Sequence, residues 1–264
     1  VMGNLVSITD ITVSGVATIM FNRSSFNNAY NEDFLDQFSD CIKKLDLDNH
    51  VRIILIRGAG RHFQAGADIQ WLKEVSLCSA AENQRVSKKT AETFWQLHNL
   101  KTVTIALVQG ACMGGGCGIV ASCDIVLAET TSVFSISEAR FGMVANIIFP
   151  QLIDAIGIRH AKRYALTGED FSGEVASEIG LVSELVEPGN LDQHADKIIC
   201  KILSTGPKTS AVSKDGFLAL SDKNTNRRLL DKLIAGHSEK RLSGEALEGI
   251  DSFLLKELPY WRND

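Results

Sequence analysis

Residues 5–10 and 16–21 mix apolar and polar positions around Ser14-Gly15, a pattern that predicts a β-hairpin. From 31 to 45 the period changes: Phe34, Leu35, Phe38, Ile42 and Leu45 recur at helical spacing and give a helix with one apolar face. Further strand-like apolar runs stand at 53–57, 103–108, 125–128 and 182–185, with helical text between them. This βα alternation predicts an α/β core on a largely parallel sheet. Beyond residue 190 the text is helical only, at 191–203, 207–220, 224–237 and 243–256, the last opened by Ser243 as a candidate N-cap. The chain therefore divides into a core over 1–190 and a helical region over 191–264.

Composition narrows this picture. With 264 residues, 45% hydrophobic and 22% charged, the chain is ample for one well-buried core with a helical appendage. Its net charge of −5, without a block of like charges, suggests neither a nucleic-acid nor a membrane partner. Six cysteines, at 41, 78, 112, 117, 123 and 200, show no Cys-x-x-Cys pair and no signal peptide before them, so free thiols in a reducing cytoplasm are expected. Cys112, Cys117 and Cys123 are close in sequence, but their neighbours are small or apolar and no histidine is near; they read as buried, inert thiols, and no metal site is expected. No run approaches the ~20 apolar residues that cross a bilayer. Val1, ahead of Met2, is set aside.

Two segments carry candidate chemistry. Gln64-Ala65-Gly66-Ala67-Asp68-Ile69 follows the strand at 53–57, and the glycine-rich 110–118 follows the strand at 103–108 and leads into a helix-like 119–122. Each offers backbone N–H groups with little side-chain bulk around them. A ligand approaches glycine backbone closely, and amides at a helix N-terminus carry partial positive charge, so the pair suits a developing oxyanion.

At these residues the chain resembles the crotonase (enoyl-CoA hydratase/isomerase) superfamily. The resemblance begins at Phe21-Asn22-Arg23 and runs through Ala65-Gly66-Ala67-Asp68, Gly114-Gly115-Gly116 with Cys123-Asp124-Ile125, and Phe134-Ser135-Ile136-Ser137-Glu138. It continues in 176–182 and 245–250, so that it spans nearly the whole chain. It implies a crotonase spiral of ββα units followed by a C-terminal helical trimerisation region, and hence a homotrimer or homohexamer. It also implies an acyl-CoA thioester as substrate, coenzyme A entering as part of that thioester and no cofactor bound permanently.

In that superfamily a thioester carbonyl lies between two backbone N–H groups, matched here by Ala67 and Gly115, and becomes an enolate. Well-known hydratases add two glutamates. The first position is Gly118 here; the second is Glu138, the expected proton shuttle. Three readings stay open. Bacterial methylglutaconyl-CoA hydratase-like sequences resemble this chain in Gly-Gly-Gly-x-Gly followed by Cys-Asp-Ile, and in Ser137-Glu138-Ala139-Arg140 with Pro150, which favours hydration of a short or branched 2-enoyl-CoA. A Δ3,Δ2-enoyl-CoA isomerase needs only one base, and single-glutamate isomerases keep the position of Glu138. A catalytically weak acyl-CoA-binding subunit is the third.

The resemblance also implies CoA contacts through Ala65, Ala67, Asp68, Ile69 and Gly115, with Arg23 and Lys256 as phosphate cations, while Gln70 stands where lysine is common. Gly118, Arg140 and Asn146 are expected in the substrate pocket, Arg140 either pairing with a substrate carboxylate or holding a structural ion pair. Asp68 reads as a brace of its loop, Asp124 as an anchor of a turn and His62 as pocket rim or core. Trp71, Leu72, Phe94, Trp95, Ile147 and Phe149 are pocket walls or core. The polar stretch 74–100 reads as a mobile segment beside the acyl pocket or, around 88–92, as a solvated helix.

Overall fold

The structure, a computed structural model, describes residues 4–221, 248, 255 and 257–260. In chain order the strands are β1 (Val6–Ile11), β2 (Val16–Phe21), β3 (Ile53–Gly58), β4 (Val103–Val108), β5 (Ala111–Met113), β6 (Ile125–Glu129), β7 (Val133–Ser135), β8 (Asp170–Ser172) and β9 (Glu184–Val186). The helices are α1 (Glu32–Asp46), α2 (Ile69–Ser76), α3 (Ala80–His98), α4 (Gly115–Ala121), α5 (Phe149–Thr167), α6 (Gly173–Glu178), α7 (Leu191–Leu203) and α8 (Pro207–Ser221).

The expected hairpin forms: β1 and β2 are antiparallel, and β3, β4, β6 and β9 extend them in parallel into a six-stranded sheet of order β1-β2-β3-β4-β6-β9. Side chains alternate across a strand, and in the middle of this sheet both sets are apolar, so both faces must be covered. Ile54, Ile56, Ala106 and Val108 belong to one core cluster with Phe34, Phe38 and Phe63. Ile53, Leu55, Ile105 and Leu107 belong to another, closed by Leu191, Ala195 and Ile199 of α7. Helix α1 buries the five apolar residues its spacing marked, and the Asn31 side chain caps it by accepting from the Phe34 amide at 3.0 Å.

A second sheet of order β5-β7-β8, each strand three residues long, carries the site. Its strands are too short for a periodic signal. Their stability comes from pairing: Cys112 faces Phe134, and Phe134 faces Phe171 in register.

Several expectations change. The strand expected at 182–185 forms at Glu184–Val186, and α4 starts at Gly115 rather than near 119. The polar stretch 74–100 is mostly helix: α3 buries Val86, Thr90, Thr93, Phe94 and Leu97, while Lys88 and Glu92 pair at 3.6 Å on its solvated face. Lys89 bonds Glu32 at 2.7 Å, tying α3 to α1. The helices expected at 224–237 and 243–256, with Ser243 and Lys256, fall outside the described residues. Among the described residues no helix is long and apolar enough to cross a membrane.

Candidate active site

The first small-residue segment is fastened to the second sheet before it reaches the site. Gln64 pairs with Cys112 in parallel: its amide donates to the Ala111 carbonyl at 3.1 Å, and the Met113 amide donates to the Gln64 carbonyl at 2.9 Å. The buried Gln64 side chain then clamps the turn, donating through Nε2 to the Gly66 carbonyl at 2.8 Å and accepting from the Gly66 amide at 2.7 Å. Gly66 has φ 85°, a left-handed conformation that glycine adopts without strain. The next residue, Ala67, is paired with Tyr30: the Tyr30 amide donates to the Gly66 carbonyl at 3.0 Å and the Asp68 amide to the Tyr30 carbonyl at 2.8 Å. Amides alternate in direction along extended backbone, so these two bonds on the Tyr30 side turn the Ala67 N–H the other way. Among the described residues that N–H has no acceptor.

The second segment arrives along β5. The Gly114 amide donates to the Ser135 carbonyl of β7 at 2.7 Å, and at Gly114, with φ 51° and ψ −119°, the chain turns into α4. Gly115 is the first helical residue; its amide is one of the first-turn donors that an α-helix leaves without an internal partner. The same strand β7 leads into a short 3₁₀ turn, Ser137–Phe141, that presents Glu138. A Cβ on Gly114 would lie 2.8 Å from Glu138 Oε1, so the carboxyl rests directly on the glycine beside the Gly115 amide.

Glu138 Oε2 is shut off from solvent and has no hydrogen-bond partner among the described residues. Burial raises the pKa of this carboxyl, and one backbone hydrogen bond opposes the rise only in part. The carboxyl opens onto a cavity of about 510 Å³ that Ala67, Gly114, Tyr30, Trp71, Asn146 and Ile147 help to line. Ala65 and Ile69, expected to contact CoA, line it too, as does Arg140.

Other expected residues fall elsewhere. Gly118 does not line the cavity: a Cβ there would lie 2.3 Å from Ile148 Cγ2 and 3.4 Å from Phe94 Cδ2, so buried Ile148 and Phe94 fill the space where a first glutamate would start. Arg23 bonds to the protein itself. It donates through Nη1 to the Ala29 carbonyl at 2.7 Å and through Nη2 to Asp68 Oδ2 at 2.6 Å, with its guanidinium over the Phe26 ring. Asp68 braces its loop as expected, because its other oxygen caps α2 at the Gln70 and Trp71 amides. Burial pushes the Asp68 carboxyl up, but Arg23 and those two amides more than offset this and leave it below its usual range.

Arg140 donates through Nη2 to Asp170 Oδ1 at 2.9 Å, the structural ion pair of its two readings, yet both residues border the cavity. Trp71, Leu72 and Ile147 are cavity walls; Phe94 is core, Phe149 packs against the core, and Trp95 is 54% exposed and does not line this cavity. His62 accepts from the Ala111 amide through Nδ1 at 3.0 Å and braces the entry to β5. Asp124 accepts from the Thr104 amide at 2.7 Å and from Lys214 at 2.7 Å, an anchor between strand and helix. Cys117 donates to the Cys112 carbonyl at 3.2 Å, and both thiols are buried.

Sequence reasoning passed over Tyr30, Gln64 and Asp170. Tyr30 and Asp170 carry no local motif, and the signal for Gln64 would have been an amide placed just before a glycine-alanine turn.

The description Enoyl-CoA hydratase/isomerase belongs to the family whose sequence model matches residues 12–264. The chain is 33% identical over 204 residues to the short-chain-enoyl-CoA hydratase of Clostridium acetobutylicum, covering 76% of this chain and 77% of that protein. It is 28% identical over 259 residues to the peroxisomal Delta(3,5)-Delta(2,4)-dienoyl-CoA isomerase of Arabidopsis thaliana, covering 94% and 93%. The crystal structure of an enoyl-CoA hydratase from Shewanella pealeana superposes with a TM-score of 0.91 at 29% identity, covering 97% of this chain and 96% of that one.

Proposed function

Because the chain belongs to the enoyl-CoA hydratase/isomerase family, we propose that it adds water reversibly to a short or branched 2-enoyl-CoA through an enolate of the thioester. The observation that carries this reading is the carboxyl of Glu138, with Oε2 sealed and without a partner among the described residues, resting on Gly114 beside the Gly115 amide and in one cavity with Ala67. The thioester oxygen accepts from the Ala67 and Gly115 amides. As the water oxygen bonds to Cβ, the Cα–Cβ π electrons move toward the thioester carbonyl, whose oxygen takes up the charge of the enolate. The Glu138 carboxylate takes the proton the water loses, and the resulting acid delivers it to Cα. Each fixed donor is worth about 3 kcal/mol to such a transition state, because it is already aimed where charge develops.

The mouth of the cavity supports an acyl chain as ligand: Ile69, Phe141 and Val144 border it and stay exposed. For a branched chain ending in a carboxylate, such as 3-methylglutaconyl-CoA, Arg140 at the same border is the group to meet it, sharing its guanidinium with Asp170. One observation favours a second reading, a Δ3,Δ2-enoyl-CoA isomerase: Ile148 and Phe94 close the space at Gly118 and leave Glu138 without a glutamate opposite it. There the same carboxylate would take a proton from C2 and return it at C4.

Mass spectrometry of the products separates the two. From crotonyl-CoA and 3-methylglutaconyl-CoA, gain of one water that Glu138→Gln abolishes is the expected result. No gain from either, with 3-enoyl-CoA converted at constant mass to its conjugated isomer, would replace the hydratase by the isomerase.

Gly115→Ala tests the oxyanion site itself. The added Cβ would lie 2.5 Å from Tyr30 Cε1, so either the ring or the first turn of α4 must move and the amide loses its aim. Steady-state kinetics should show kcat down by about 100-fold, the scale of one lost donor, with KM changed far less. Assembly as homotrimers or homohexamers belongs to the same proposal, and light scattering showing a stable monomer would count against it.

A further inference from the structure

Position 30 joins both oxyanion donors. Its backbone pairs with Ala67, and its ring covers Gly115: a Cβ on Gly115 would lie 2.5 Å from Tyr30 Cε1 and 3.0 Å from the Tyr30 hydroxyl. Edge contacts to Trp71 at 6.0 Å and Phe94 at 5.9 Å between ring centroids hold the ring in place. The residue is 7% exposed and lines the cavity, yet among the described residues its hydroxyl has no hydrogen-bond partner. The hydroxyl is not sealed in the core but belongs to a residue that lines the cavity, where phenylalanine would fill the same space without offering a donor.

We propose that the Tyr30 hydroxyl is a third donor to the thioester oxygen, completing the pair of backbone amides at Ala67 and Gly115. This rests on the reading above that an acyl-CoA thioester oxygen occupies that point. The phenol is suited to donate: burial, and after it the negative charge of Glu138, push its pKa up, so it keeps its proton through the neutral range. Tyr30 forms no new bond in the reaction. Its hydrogen bond shortens as charge gathers on the oxygen and relaxes when the enolate is protonated at Cα.

The test uses butyryl-CoA carrying ¹³C at the thioester carbonyl, a saturated ligand that binds without reacting further. Infrared difference spectra of the bound carbonyl report the strength of its hydrogen bonds. In the parent protein the band should lie well below that of free butyryl-CoA; in Tyr30→Phe it should return part of the way, and kcat for the enoyl substrate should fall by about 10- to 100-fold. A ring-fluorinated tyrosine at position 30, a more acidic donor of nearly the same shape, should move the band further from the free value. A purely structural tyrosine would change thermal stability and leave the band in place. A shifted band in the parent that both variants leave unmoved overturns the role of Tyr30 and spares the acyl-CoA reading. Failure of the parent to bind butyryl-CoA, or to shift its carbonyl, overturns both.

Discussion

Glu138→Gln should lower turnover of the enoyl-CoA substrate by about a thousandfold, in the middle of the range for a positioned acid or base. The amide keeps the shape of the carboxyl but can neither accept the proton from water nor hand it to Cα. The same variant should be more stable than the parent at pH 8. Burial holds the folded-state pKa of Glu138 above its unfolded value, so ionising this group disfavours the fold. The sign is therefore opposite to that of an ion-paired carboxylate. Below the unfolded pKa, about 4.3, parent and variant both carry a neutral group; as pH rises through the folded pKa the parent alone pays for a buried charge, and its disadvantage grows. Thermal melts should show the gap between them widening from pH 4 to pH 8. In kcat/KM of the parent the acidic limb should lie above the ordinary carboxylate range, because the base form is the one that starts hydration. A variant with full turnover would remove Glu138 from the chemistry, and one less stable at pH 8 with the gap closing as pH rises would overturn the raised pKa.

That a buried carboxyl stands here at all follows from connections of very different visibility in the sequence. The glycines at 114–116 are legible because backbone access leaves a local mark, and Glu138 is legible through the family resemblance of Phe134-Ser135-Ile136-Ser137-Glu138. The link between them is not: it runs through β5 and β7, strands of three residues each, and through the bond from the Gly114 amide to the Ser135 carbonyl. The ion pair of Arg23 is not legible either, because its partner Asp68 lies 45 residues away and no local pattern announces a pair at that range. Tyr30 sits in Asn28-Ala29-Tyr30-Asn31, which reads as the entry to an amphipathic helix. Only the parallel pairing with Ala67 turns it into a wall of the site. The long strands were legible for the opposite reason: β3 and β4 are buried on both faces, so nearly every residue in them is apolar.

The first glutamate position shows the same limit most sharply, and Gly118→Glu puts it to a measurement. Position 118 is three residues after Gly115, on the same face of α4, and that face is covered in order by Tyr30, Phe94 and Ile148. Spacing from the glycines identifies the residue but not what covers it. A Cβ at 118 meets Ile148 Cγ2 at 2.3 Å before any carboxylate is added, and a β-branched side chain has few rotamers into which it can retreat. Overpacking of this kind costs about 1–3 kcal/mol. A carboxylate held among Ile148 and Phe94 without a partner adds several more, or stays protonated. Gly118→Glu should therefore unfold at a much lower temperature than the parent and gain no hydratase rate. Gly118→Ala should show the volume part of the loss alone, and Gly118→Ala with Ile148→Ala should lose less than the two single changes added together, since the second change empties the space the first one needs. If Gly118→Glu instead melts with the parent and hydrates faster, the carboxylate has reached the cavity, and the closed wall behind α4 is wrong.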